Sequence, residues 1–371
     1  MFTARCKQSY SILGRNTVNI LRLTGIIVAA TIVLLPLGCV SYVPTPQSPE
    51  PINLIKPVPE DTTFKTFAPR SSISYAGLQQ NSFSKTGWDS WANISIDGKY
   101  IAYSSTAQTG NPDIYVKTIN GTALSQKTTS TANDIQPSLS PDGRYIAFVS
   151  DRNGNYDVYV TSAASNGPLW QVTATGTDEM SPAWSYDSKK LAYCAKTPAG
   201  EWEVWTYDIA NQTRTNLGPG MNPKWHPKQM LIAYQRIYNV NGVSSSICTI
   251  DESGRNLRVI AQADKWAAIQ PSWSPNGTRI AFSVYTGGGN IEPTTEGDDI
   301  YVINADGTHE IRITEDTGRN WAPTWAIVGG EERIYFTSNN NDKTNIWSVR
   351  SVNFSAAPIK PTTTTPATTT K

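Results

Sequence analysis

Residues 135–160 read IQPSLSPDGRYIAFVSDRNGNYDVYV, and the chain returns to the same wording at 269–282 (IQPSWSPNGTRIAF) and 299–307 (DIYVINADG). Self-similarity at such a period marks a repeat architecture, in which each unit is too small to bury its own apolar faces. Six units align on the anchor positions Ala92, Pro137, Pro182, Pro223, Pro271 and Pro323, spaced 45, 45, 41, 48 and 52 residues apart. Two positions after each anchor stands a large apolar residue (Ile94, Leu139, Trp184, Trp225, Trp273, Trp325), followed by a tight turn. A second strand comes next (YIAYS, YIAFV, KLAYC, LIAYQ, RIAFS, RIYFT), then a variable loop and a third strand such as DIYVKT or DVYVTS. A Gly turn and a short fourth strand such as LWQVT complete the unit.

Four strands in each unit predict an all-β chain folded as a six-bladed β-propeller of four-stranded antiparallel blades. The recurrent Pro supports a propeller over a sandwich. Pro cannot donate to a ladder, so a strand that starts with it is an edge, here the edge facing the central channel. Ala recurs in the second strand (Ala102, Ala147, Ala192, Ala233, Ala281), as expected where blades converge, and Tyr335 replaces it in unit six. The SPDG and NADG stretches supply Asp/Asn-Gly pairs that tolerate positive φ in hairpin turns. Residues 77–86 align with the fourth-strand stretch of the other units, which predicts that an N-terminal strand closes the last blade and removes its open edge.

Outside residues 71–355 the composition changes. Arg5, Lys7, Arg15 and Arg22 precede the apolar run GIIVAATIVLLPLG (25–38), and the first acidic residue of the chain is Glu50. This is the pattern of an export signal. Cys39, after Leu37-Gly38, resembles the lipobox cysteine of bacterial lipoproteins, so residues 1–38 are expected to be a signal peptide and Cys39 the lipidation site. An uncleaved anchor and ordinary cleavage are the alternatives, and all three place the rest outside the cytoplasmic membrane, facing away from the positive flank. Residues 39–70 form a Pro-rich stalk and 356–371 a Thr/Pro-rich disordered tail.

The chain has 31 basic and 30 acidic residues, and loss of the four leader cations leaves 27 against 30. A near-neutral mature protein carries no nucleic-acid footprint. The two histidines, His226 and His309, fall in different units and do not converge. No G-x-S-x-G, H-E-x-x-H or paired C-x-x-C occurs, so neither catalysis nor a cofactor or metal is expected. Cys194 and Cys248 sit in strands of different units, where a disulfide is an open alternative to two buried thiols.

Candidate site residues come from the face that carries the variable second-to-third loops and the inter-blade connections. Trp88, Trp91, Trp266 and Trp321 lie in or beside those connections, where exposed Trp would anchor a partner. Trp321 also aligns with Ile135, Met180, Met221 and Ile269, a core column. Lys224 is the one charge in a column otherwise small or polar (Asn93, Ser138, Ala183, Ser272, Thr324), so it is a candidate for the channel mouth. The longest loop, GGGNIEPTTEGDD, brings Glu292, Glu296, Asp298 and Asp299 together without the spacing of a calcium loop. Asp151, Arg152 and Asp157 in SDRNGNYD read as a structural ion pair and turn.

PSLSPDGRYIAFVSDRNGNYDVYV, SPAWSYDSKKLAY and PSWSPNGTRIAF resemble the TolB-type propeller repeat, over about residues 89–350. The resemblance implies a monomeric protein-binding platform of the cell envelope, with an envelope protein or peptidoglycan-associated partner. It does not extend to the α/β domain that precedes the propeller in the TolB type, since only a Pro-rich stalk fits that space here. The competing expectation is a polysaccharide-binding or polysaccharide-cleaving propeller that uses the acidic loop.

Overall fold

The computed structural model describes residues 77–164, 167–238, 244–262, 267–285, 298–314, 318–340 and 343–350. The expected leader, Cys39, the stalk and the tail lie outside the described residues, as do Trp266, Glu292 and Glu296. Strand β1 (Gln79–Gln80) precedes six runs of strands. Blade 1 comprises β2 (Asp89–Ile94), β3 (Tyr100–Ser105), β4 (Asp113–Thr118) and β5 (Ser125–Gln126), and blade 2 comprises β6 (Asp134–Leu139), β7 (Tyr145–Ser150), β8 (Asp157–Ser162) and β9 (Trp170–Gln171). Blade 3 holds β10 (Glu179–Trp184), β11 (Lys190–Lys196), β12 (Trp202–Asp208) and β13 (Thr213–Pro219), and blade 4 holds β14 (Met221–Trp225), β15 (Leu231–Tyr238), β16 (Ser244–Asp251) and β17 (Arg258–Ala261). Blade 5 is β18 (Ala267–Trp273), β19 (Arg279–Tyr285), β20 (Asp299–Asn304) and β21 (Ile311–Arg312); blade 6 is β22 (Asn320–Val328), β23 (Glu331–Ser338) and β24 (Asn345–Arg350), with β1 outermost.

Each blade is a four-stranded antiparallel sheet whose first strand is innermost, so the fold is the six-bladed propeller that the repeat predicts. Closure works as expected: Gln79 pairs with Ser348 and Gln80 with Trp347. Ser82 reinforces the junction, its hydroxyl accepting from the Ile346 N–H at 2.9 Å. Arg333 extends the latch by donating from Nη2 to the Gly77 carbonyl at 2.9 Å.

The buried apolar residues form six clusters, one at each blade–blade junction. Ala102, Ile114 and Val116 of blade 1 meet Ile146, Phe148 and Tyr159 of blade 2, and the last junction joins Tyr335 and Ile346 to Ala92, Ile101, Tyr103 and Tyr115. Cys194 and Cys248 are both buried thiols outside any disulfide, so the disulfide alternative is not realised.

The SPDG-type turns are held by a fixed pattern. Ser140 donates to Asp142 at 2.6 Å and accepts from the Tyr145 N–H at 2.9 Å, and Ser185 and Ser274 do the same with Asp187 and Asn276. In blade 4 His226 takes the serine's place: Nδ1 accepts from the Lys228 N–H at 3.1 Å, which leaves Nε2 to donate to the Gly277 carbonyl at 3.2 Å. The ring packs edge-on against Trp273 and so close to Gly277 that a Cβ there would strike it. His309 lies on an exposed outer turn beside Asn304 and Thr308, so the two histidines stay apart, as their units predicted.

Candidate functional site

Every inner strand carries a β-bulge at the same place. The pairing of β2 with β3 passes from Ser90↔Ser104 to Asn93↔Ala102, so one extra residue is inserted, and the other five blades repeat this. Six residues absorb the insertion in the left-handed region: Trp91, Gln136, Ser181, Asn222, Gln270 and Ala322, with φ between 52° and 57°. None is glycine, so each costs about 1 kcal/mol or more. These six residues, the anchor residues after five of them, Lys224 and Thr324 line the central channel. The anchor prolines fit because their missing N–H faces the axis, where no ladder partner exists.

Bonds across the blade junctions hold the bulges. The Trp91 N–H donates to Thr337 Oγ1 at 3.2 Å and the Gln136 N–H to Ser104 Oγ at 3.0 Å, in each case a hydroxyl on the second strand of the preceding blade. In blade 2 that column holds Val149, which offers no acceptor. Gln136 compensates: its Oε1 accepts from the Ser181 N–H at 2.8 Å. Gln270 likewise accepts from the Ala322 N–H at 2.9 Å, although the same column of blade 5 holds Ser283. Ser181 Oγ donates to Asn222 Oδ1, and Asn222 Nδ2 to Gln235 Oε1, both at 2.8 Å. The amide column was not singled out by the sequence reading, although it stands directly before the anchors.

Lys224 is the charged residue of the channel lining. It is half-buried, its backbone carbonyl accepts from Trp273 Nε1 at 3.1 Å, and burial pushes the ammonium down to about 8. Trp91 also faces the channel and packs edge-on against half-buried Trp88, ring centroids 5.7 Å apart, just before β2. Trp321 is half-buried in β22, paired with Thr337, in the column of Ile135 and Met180 rather than in a loop.

The carboxylates of this face are engaged. Asp298, expected on the acidic loop, is only 6% exposed and bonds Arg319 Nε at 2.7 Å, because a buried carboxylate needs a counter-charge. Asp299 pairs with Arg312 and accepts from Thr314 Oγ1 at 2.8 Å. Arg152 does form an ion pair, but its partner is Asp134 at the start of β6, at 2.9 Å, and not Asp151 or Asp157 of its own loop; its guanidinium also lies over Tyr159. Burial raises Asp134 while Ser150 and Arg152 pull it back. Asp157 and Glu179 face each other across the next junction with Thr173 between them, and burial drives Glu179 up to about 7. Among the described residues no group of three or more His, Cys, Asp or Glu is placed to hold a metal ion.

The arrangement is thus a donor-lined channel opening beside a tryptophan pair. Among solved structures the chain is similar to a candidate TolB from Agrobacterium tumefaciens (17% identity, TM-score 0.53, covering 71% of this chain and 90% of that one). TolB from Acinetobacter baumannii is similar at 21% identity and TM-score 0.53, the match covering 63% of this chain and 56% of that one, just over half of its length. An oligogalacturonate lyase from Vibrio parahaemolyticus is similar at 13% identity and TM-score 0.52, covering 77% and 97%. At these identities the likeness shows the fold alone. None of the curated protein sequences compared with the chain matches it. The TolB beta propeller domain matches residues 74–267, more than half of the sequence, and with the six bladed sheets and their repeated turn chemistry it follows that the chain belongs to the TolB beta propeller domain family.

Proposed function

We propose that the chain is a non-catalytic lipoprotein of the bacterial cell envelope, anchored through Cys39 outside the cytoplasmic membrane. As a monomer, it uses the face around Trp88, Trp91 and Lys224 to hold an envelope protein or peptidoglycan-associated partner. The observation that carries this reading is the Trp88–Trp91 pair at the channel mouth, half-buried and crossed edge-on, on the face where the loops differ most between blades. Large aromatic side chains held in place are the usual energetic anchors of protein interfaces. The competing polysaccharide reading is weakened because Asp298 and Asp299 are held by Arg319 and Arg312.

The two ends of β2 allow a controlled test. A photo-activated cross-linking residue replaces Trp88 at one end or Ile96 at the other, about 20 Å away at the rise of a six-residue strand. In intact cells the Trp88 position is expected to yield a discrete protein adduct and the exposed Ile96 position none. Equal yield from both positions, or none from either, overturns the reading.

A further inference from the structure

The side chains around the channel have spent their acceptors and kept their donors. A backbone N–H can only donate, so the Ser181 N–H on Gln136 and the Ala322 N–H on Gln270 force each amide oxygen toward them and leave each NH2 group over. Asn222 is engaged at both ends, and Ser181 has given its one hydroxyl proton to Asn222. What remains among the lining side chains is the Lys224 ammonium, the amides of Gln136 and Gln270 and the Thr324 hydroxyl. Lys224 has no carboxylate partner among the described residues: each described ion pair lies elsewhere. An ammonium brought into such a lining without a counter-ion costs stability, and a ligand anion would relieve that cost. The cavity is about 50 Å³, room for a few water-sized groups.

We propose that the central channel is a receptor for a single carboxylate group, with Lys224 supplying the charge and the Gln136 and Gln270 amides supplying flanking hydrogen-bond donors. Charge-assisted hydrogen bonds from several blades at once would fix such a group on the propeller axis. The carboxylate comes from a free small acid or from the tip of an acidic residue on a bound protein. The second source rests on the binding-platform reading above, whereas the chemistry of the receptor does not.

The test uses the full chain with 13C-labelled lysine, following the Lys224 Cε resonance, assigned by its absence in Lys224→Met. Potassium acetate is titrated in, then the peptide acetyl-Gly-Glu-Gly-amide, each against potassium chloride at equal ionic strength. The expected result is a saturable shift of the Lys224 resonance and a rise in its pKa with at least one probe and not with chloride. Lys224→Met is expected to weaken binding about tenfold or more, read from the change in intrinsic tryptophan fluorescence, whereas Lys224→Arg keeps it. A thermal melt of each variant shows whether it is folded, and Thr324→Val, which removes one donor without touching the charge, is expected to weaken binding less. Saturation by acetate identifies a free acid as sufficient; saturation by the peptide alone identifies a protein-borne carboxylate. No saturable response to either probe, or unchanged affinity in folded Lys224→Met, overturns the proposal, and neither result depends on the cross-linking outcome at Trp88.

Discussion

Glu179 carries the clearest pH signature among the described carboxylates. It is fully buried, bonded to Thr175, faces Asp157 across the blade 2–blade 3 junction, and is held up to about 7 by desolvation from an ordinary 4.5. The folded chain therefore binds a proton there over a range in which the unfolded chain has released it. Stability from this site is complete below pH 4.5 and is lost as pH rises toward 7. The difference amounts to on the order of 3 kcal/mol. Glu179→Gln keeps the protonated shape, so its urea midpoint is expected to change less between pH 5 and pH 8 than that of the parent. Identical slopes in the two proteins would remove Glu179 as the cause. Residues that break a column, such as Lys224 among Asn93, Ser138 and Ala183, were legible in the sequence. Residues whose role lies in a pairing were not: Arg152 reads as a loop cation, and only the position of β6 puts Asp134 beside it.

The strand pattern was legible because inward and outward residues alternate with the same grammar in every blade. The bulge was not, because a left-handed residue ahead of the anchor has no composition of its own: Trp, Gln, Ser, Asn, Gln and Ala all serve. Its consequence is an exchange between columns. The Ser104 and Thr337 hydroxyls take the bulge N–H of the following blade; where the column holds Val149, Gln136 reaches across, and Gln270 reaches across in the same way although its blade holds Ser283 there. Gln136→Ala is thus expected to strand the Ser181 N–H and to cost about 1–3 kcal/mol in equilibrium unfolding. Adding Val149→Thr to that variant restores an acceptor of nearly the same shape and is expected to recover much of the loss. Val149→Thr in the otherwise unaltered chain has no unpaired N–H to satisfy and brings no gain. If the double variant is no more stable than Gln136→Ala, the hydroxyl and the amide are not interchangeable.

At the scale of the ring, the six apolar clusters all lie between blades, so no blade is finished until its neighbour arrives. An open array of such units frays from its ends, whereas a closed ring has no end at which to start. The difference rests on β1, two residues long, and on the Ser82 and Arg333 bonds that tie it to blade 6. Ile346 at the closing junction and Ile146 at the first internal junction are both fully buried, each in a cluster of six buried residues. Truncating either leaves a cavity in an equivalent wedge, and each of Ile346→Ala and Ile146→Ala is expected to cost about 2–5 kcal/mol. In a closed ring both variants unfold in one transition, and amide protection falls together in blades 1, 4 and 6, including the Ile114 and Ile346 amides. If the closure is only a loose appendage, Ile346→Ala instead exposes the blade 6 amides at low denaturant while those of blade 4 keep the parent's protection. Hydrogen exchange across a urea series separates the two outcomes, since a sub-global opening confined to blades 6 and 1 has a smaller denaturant dependence than global unfolding.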